Sequence, residues 1–204
     1  MVRVSKDAAS RREELIDAAE RLFLTKGYEQ TAVSDIVKET GVAQGTFYYH
    51  FKSKSEILEE VVRKSIFTLV ERVRLAAERD DIDATARLNE FYGSLVRFSS
   101  LNNELIDFIH QESNLTLHDK LAKITMARAI PLLSKIIRDG VAEGTFKVTY
   151  PVETAKFLLL AIGEIFHDPE VISDPEKIER ARITVEQCVA RVLNIKEDSF
   201  KMDL

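Results

Sequence analysis

The chain has 204 residues, 45% of them apolar and 31% charged, the balance of a soluble globular protein with a real core. Its single cysteine, Cys188, excludes an intrachain disulfide and fits a reducing, intracellular setting; no apolar run approaches the roughly 20 residues that a membrane span needs. Net charge is −5 and residues 1–80 balance to zero, so bulk charge does not point to nucleic acid; only positive groups converging on one face would.

With seven Gly and four Pro, turn-formers are scarce and long helices are favoured over short strands. The first 14 residues lack the apolar core of a signal peptide, so a cytoplasmic location is expected. Ser10-Arg-Arg-Glu13 reads as a capping box that opens a first helix. Leu15, Ile16, Ala19, Leu22 and Phe23 recur along it at helical spacing, and Gly27 ends it. A second helix covers about 32–40, with Thr31 as its cap, and Gly41 turns the chain into a third over about 44–50. Ser53-Lys-Ser-Glu56 is a second capping box. It opens a helix of about 25 residues, on the order of 37 Å long and enough to bridge two domains. The polar break Glu78-Arg-Asp-Asp81 closes it.

Helical spacing continues over about 83–100, 102–111 and 118–143, with Pro131 kinking the last of these and Gly144 closing it. Pro151 starts a helix to about His167, which Asp168-Pro169 breaks, and Asp174-Pro175 starts the final helix to about Ile195. From Lys196 the polar tail is expected to fray. Phe146 to Thr149 is too short for a sheet, and the fold class is all-α.

The stretch most informative about function is Thr31 to Lys54, TAVSDIVKETGVAQGTFYYHFKSK. Two short helices joined at Gly41 have the form of a helix-turn-helix, because glycine permits the left-handed backbone that such a turn uses. Ile36, Val37 and Val42 pack the pair together, and Phe47 and Phe51 pin the second helix to the core. That leaves Gln44, Gly45, Thr46, Tyr48, Tyr49 and His50 outside. Five consecutive aromatic or His residues span more than one helical turn and cannot all face inward. Recognition helices present their first residues to base edges; Gln pairs bidentately with adenine, and the Thr methyl touches a thymine methyl. Tyr48, His50 and Lys54 suit phosphates, where hydroxyls and helix N-termini supplement cations.

Residues 10–58 closely resemble the tetracycline-repressor (TetR-like) family: a first helix ending LFLTKGYEQTAV, then SDIVKETGV, then AQGTFYYHFKSKSEIL. The resemblance implies a three-helix DNA-binding domain over 1–54, joined by the long helix to a ligand-binding and dimerisation domain over 55–204. It implies a homodimeric repressor on a near-palindromic operator, released when a small-molecule inducer moves the long helix. It places Gln44, Gly45, Thr46 and Tyr48 at base or backbone contacts, and Tyr49 and His50 near the backbone. Lys54 falls at a phosphate, and Val33 and Ser34 face DNA. Val37 and Thr40 depart from the family's usual Ala, and Ala43 replaces a frequent capping Ser, a local loss of roughly 1 kcal/mol. Arg3, Lys6, Arg11 and Arg12 form either an arm that reaches DNA or a solvated tail.

In the C-terminal half, Leu158, Ile162 and Phe166 on one helix and Val185, Val189 and Val192 on another are the expected dimer surface, and Cys188 is expected to be buried. Phe91, Phe98, Phe108, His110, Met126 and Phe157 are the candidate lining for an apolar or amphipathic inducer. His110, His118 and His167 raise a metal-sensing alternative, but none has the spacing of a strong zinc motif. No cofactor is expected. Neither a phosphate-cradling glycine loop nor a nucleophile elbow supports an enzyme, and a helical adaptor without a DNA role is the remaining alternative.

Overall fold

Apolar residues at helical spacing become helices throughout the computed structural model, which describes residues 8–101 and 115–202. In chain order they are α1 (Ala8–Lys26), α2 (Val33–Thr40), α3 (Gln44–His50), α4 (Lys54–Glu78) and α5 (Ala84–Leu101). Next come α6 (Leu115–Ala142), α7 (Pro151–His167), the single-turn α8 (Pro169–Ile172) and α9 (Pro175–Leu193), followed by a 3₁₀ turn at Glu197–Ser199. Among the described residues no strand occurs and no helix is long and apolar enough to cross a membrane. The expected helix over 102–111, with Phe108 and His110, lies outside them.

The described chain divides into two compact units, residues 8–67 with 115–121 and residues 68–101 with 122–202. The division falls inside α4, whereas the sequence reading puts it at 54/55. In the first unit, Leu15, Ile16, Ala19 and Phe23 of α1 and Ile36 of α2 are buried. So are Phe47 of α3, Phe51, and Ile57, Leu58, Val61 and Val62 of α4. Lys64 on α4 holds Asp17 and Glu20 of α1, both at 2.6 Å, and Arg21 of α1 holds Glu39 of α2 at 2.8 Å. Ser10 lies inside α1 and not at its start, because the helix already includes Ala8.

The second unit buries Leu69 and Val73 of α4, Leu88, Phe91 and Tyr92 of α5, and Leu133, Ile136 and Ile137 of α6 in one core. The Arg87 guanidinium, buried on α5, reaches Asp139 at 2.6 Å and Glu143 at 2.5 Å near the end of α6. Glu143 also accepts the Ala84 N–H at 3.0 Å, so one carboxylate serves both a buried charge and the start of α5. Within α6, Pro131 and Ala127 are both exposed, which leaves the carbonyl that a residue-131 N–H would have met on the wet side.

Three expectations for this unit change. The segment after Lys196 does not fray: Phe200 and Met202 are buried, Asn89 donates to the Ser199 carbonyl at 2.9 Å and accepts from Lys201 N–H at 3.1 Å, and Glu186 accepts from Met202 N–H at 2.8 Å. Two apolar anchors and satisfied backbone groups dock a segment that its composition alone marks as polar.

The residues expected at the dimer surface are already engaged within the protomer. Leu158 (2% exposed), Ile162, Val185 and Val189 fill the protomer's own core, and Phe166 and Val192 pack against it. Spacing of three and four residues puts Ala155, Leu158, Leu159 and Ile162 on one inward stripe of α7. Val152, Phe157 and Leu160 on α7 and Ile183 on α9 face outward, and Cys188 is exposed and not buried.

The expected inducer lining divides as well. Phe91 is packed in the core and Phe98 and Met126 lie against it, but Phe157 is 59% exposed on the outer stripe and lines no interior of the protomer. His118 lies beside its neighbour Asp119, 3.4 Å away. Among the described residues no three His, Cys, Asp or Glu side chains gather as a metal site.

Candidate nucleic-acid interface

The geometry of α2 and α3 starts from how the chain enters α2. Thr31 is buried and its hydroxyl donates back to the Gly27 carbonyl at 2.7 Å, so it closes the turn after α1 and does not cap α2. The N-cap is Ala32, which has no side-chain acceptor. Asp35 compensates by accepting the Ala32 N–H at 3.0 Å, while Lys26 Nζ donates to the same carboxylate at 2.5 Å. The hydrogen bond from Lys26, then that from Ala32, holds the Asp35 carboxyl below its ordinary range. A carboxylate is thus fixed in the first turn, where the helix dipole favours it.

Gly41 ends α2 with φ of 67°, its N–H donating to the Lys38 carbonyl and Val42 N–H to that of Val37. No atom crowds the place where a Cβ would sit. The glycine is there for its left-handed backbone and not for space. Ala43 then caps α3 without a side-chain bond, leaving the first amides of the helix unoccupied by side chains.

Phe47 orients α3. It is fully buried, with its ring 5.7 Å from that of Phe51, a burial that contributes roughly 1.5–3 kcal/mol. With Phe47 inward, Gln44 and Gly45 are exposed, Tyr48 is 53% exposed and Tyr49 78%, and Thr46 and His50 are half-buried. On α2, Ser34 is exposed and Val33 half-buried. Val33, Ser34, Gln44, Gly45, Thr46, Tyr48, Tyr49 and His50 therefore all keep some access to solvent, on two helices joined by one tight turn.

Lys54 stands apart from this set. Its ammonium donates to the Tyr28 carbonyl at 2.8 Å and lies 4.1 Å from the centre of the Tyr28 ring. The charge ties the first turn of α4 to the segment after α1. Tyr28, directly after Gly27, is the residue that sequence reasoning missed; only a half-buried aromatic beside a turn hinted at it. The expected cap of α4 does form, with Ser53 Oγ accepting the Glu56 N–H at 3.1 Å. Glu56, however, reaches back to the Lys52 N–H, at 2.5 Å, and not to that of Ser53.

At the far end of α3, the guanidinium of Arg12 lies 5.0 Å from the centre of the Phe51 ring, and the His50 and Phe51 rings are 6.3 Å apart. Partial burial, then the charges of Arg12 and Arg11, hold the His50 imidazole below its ordinary pKa.

Two family models cover much of the chain. Residues 15–61 match "Bacterial regulatory proteins, tetR family", and residues 97–189 match "Tetracyclin repressor-like, C-terminal domain". The chain is 29% identical over 153 residues to a fatty acid metabolism regulator protein of Bacillus subtilis, covering 72% of this chain and 76% of that one. It is 28% identical over 151 residues to the HTH-type transcriptional repressor KstR2 of Mycolicibacterium smegmatis, covering 71% and 72%. In fold it is similar to a transcriptional regulator from Cytophaga hutchinsonii, with a TM-score of 0.72 at 19% identity over 89% of this chain and 96% of the other. It is also similar to SmeT in complex with triclosan, with a TM-score of 0.64 at 18% identity over 96% of each chain. An outward-facing α3 anchored by Phe47, and family matches over both halves, lead to one conclusion: the chain belongs to the tetR family of bacterial regulatory proteins, which are DNA-binding transcriptional regulators and not enzymes.

Proposed function

We propose that the chain is a ligand-responsive repressor, located in the cytoplasm, that binds a near-palindromic operator as a homodimer and leaves it when a small apolar or amphipathic inducer binds. The observation that carries this reading is the outward face of α3: Gln44, Gly45 and Tyr48 exposed above a fully buried Phe47. Gln44 is the base-reading side chain, Tyr48 and Tyr49 offer hydroxyls to phosphate, and Val33 and Ser34 approach the backbone from α2. The outward apolar stripe of Val152, Phe157, Leu160 and Ile183 supports a second copy as partner. Likeness to a fatty acid metabolism regulator supports target genes in that metabolism and an inducer with a long apolar part.

The test is the double variant Gln44→Ala/Tyr48→Ala on the duplex flanking the protein's own coding region, followed by mobility shift. Two lost base or backbone contacts weaken binding at least about 30-fold, with thermal unfolding and dimer mass unchanged. Wild-type affinity in the variant removes α3 as the DNA surface. Lys54→Ala is a poor probe of the same point, because it also releases Tyr28.

A further inference from the structure

At the end of α3 opposite Gln44, the charges of Arg12 and Arg11 bear on one imidazole. From α1, Arg11 pairs with Glu14 at 2.6 Å and Arg12 with Glu60 of α4 at 2.9 Å. Glu60 is shared, since Arg63 on α4 binds its other oxygen at 2.9 Å, so one carboxylate answers two guanidinium groups. Lys52, exposed, follows just beyond α3, and Tyr49 meets the His50 ring edge-on with 4.9 Å between ring centres. Arg11 and Arg12 keep part of their side chains in solvent. His50, half-buried, has its ring 6.3 Å from that of Phe51, over which the Arg12 guanidinium lies.

We infer that duplex-DNA binding by this chain is proton-coupled: Arg11, Arg12 and His50 form one phosphate-binding corner, and His50 takes a proton from solvent as a phosphate arrives there. The inference rests on the reading of α3 as the DNA surface and adds to it a regulation by pH. In the free protein partial burial, then the charges of Arg12 and Arg11, oppose an imidazolium, so His50 is neutral at neutral pH. A phosphodiester anion placed against the same guanidinium groups offsets their charge and, in contact with the ring itself, favours the imidazolium. The imidazolium then adds an N–H donor and a charge to the contact.

The sign follows from linkage. A group whose pKa is higher in the complex than in the free protein strengthens binding as pH falls through the complex value, and the gain is complete below the free value. Each unit of difference corresponds to about tenfold in affinity. Burial and Arg12 and Arg11 put the free value below the ordinary 6.5, so the window opens near neutrality and extends downward.

The experiment measures binding of the full chain to a random-sequence duplex of about 30 base pairs, at low salt from pH 8 to 5.5, because the phosphate contacts in question do not depend on sequence. Wild type gains about 5- to 10-fold in affinity across that range, and His50→Gln, which keeps a hydrogen-bonding side chain without titrating, loses most of that gain. Arg11→Gln, chosen because Arg11 pairs with Glu14 of its own helix, reduces the salt slope by about one. The His50 ring resonance, identified by its loss in His50→Gln, titrates below 6.5 in the free protein and above its free value on DNA. An unchanged pH dependence in His50→Gln, or an imidazole midpoint that DNA does not move, overturns the coupling while the DNA-binding reading stands. Wild type that fails to bind duplex at every pH overturns both.

Discussion

A buried phenol without a hydrogen-bond partner is something protein cores avoid. Tyr92 on α5 is 1% exposed, with its ring 5.3 Å from that of Phe200, and its hydroxyl has no partner among the described residues. Burial pushes its pKa far above the ordinary tyrosine value, so it stays neutral throughout the accessible range. An unpaired hydroxyl costs about 1–3 kcal/mol when it is buried. Tyr92→Phe is therefore expected to leave stability unchanged or raise it by up to about 1 kcal/mol in urea unfolding; a loss of that size instead means the hydroxyl has a partner. Lys54 makes the complementary point at the same scale. From the sequence it is a free cation at the start of a helix. In the structure its charge is already held by a carbonyl and a ring, because Tyr28, 26 residues earlier, is folded against it.

At the scale of elements, the α2–turn–α3 unit was legible because its signals are local. A glycine with φ of 67°, a buried Ile36 and a Phe47–Phe51 pair lie within 16 residues. The cap of α2 was not, since Thr31 turns back to the Gly27 carbonyl and it is Asp35 that accepts the Ala32 N–H. The end of α6 hides a tighter constraint. A Cβ on Gly140 would lie 2.3 Å from the ring of Phe146, which is itself buried in the core. Alanine there gains about 1 kcal/mol of helix propensity but overpacks a core by about 1–3 kcal/mol. Gly140→Ala is expected to lower the unfolding free energy measured in urea by a net of up to about 2 kcal/mol with an unchanged slope, since the overpacking exceeds the propensity gain. The sequence showed two glycines near a helix end; which of them was needed for space and which for backbone conformation depended on where Phe146 returned.

At the scale of the whole molecule, α7 and α9 carry two apolar stripes with different destinations. Leu158 and Val189 belong to the protomer, while Phe157, Leu160 and Ile183 remain on the surface. On the homodimer reading, Phe157→Glu/Leu160→Glu gives a folded monomer by sedimentation, with operator affinity lost because two half-sites are no longer engaged together. Leu158→Glu instead unfolds the protomer, since it places a charge in the core. A dimer that survives the double outward substitution moves the partner to another face. The segment from Lys196 illustrates the same dependence on long-range contacts. Its composition is polar, yet Asn89 and Glu186, distant in sequence, satisfy its backbone while Phe200 and Met202 enter the core.

Period and turn residues were enough, without coordinates, to establish an all-α fold class, a short helix over 44–50 and the long α4 after it. Each depends on residues within a few turns of one another, where propensity and steric rules act directly. Tertiary structure decided which of two apolar stripes faced inward, whether Lys54 was free, and whether the last segment docked. Those outcomes depend on pairs far apart in sequence, and apolar character alone does not say which neighbour a side chain will meet.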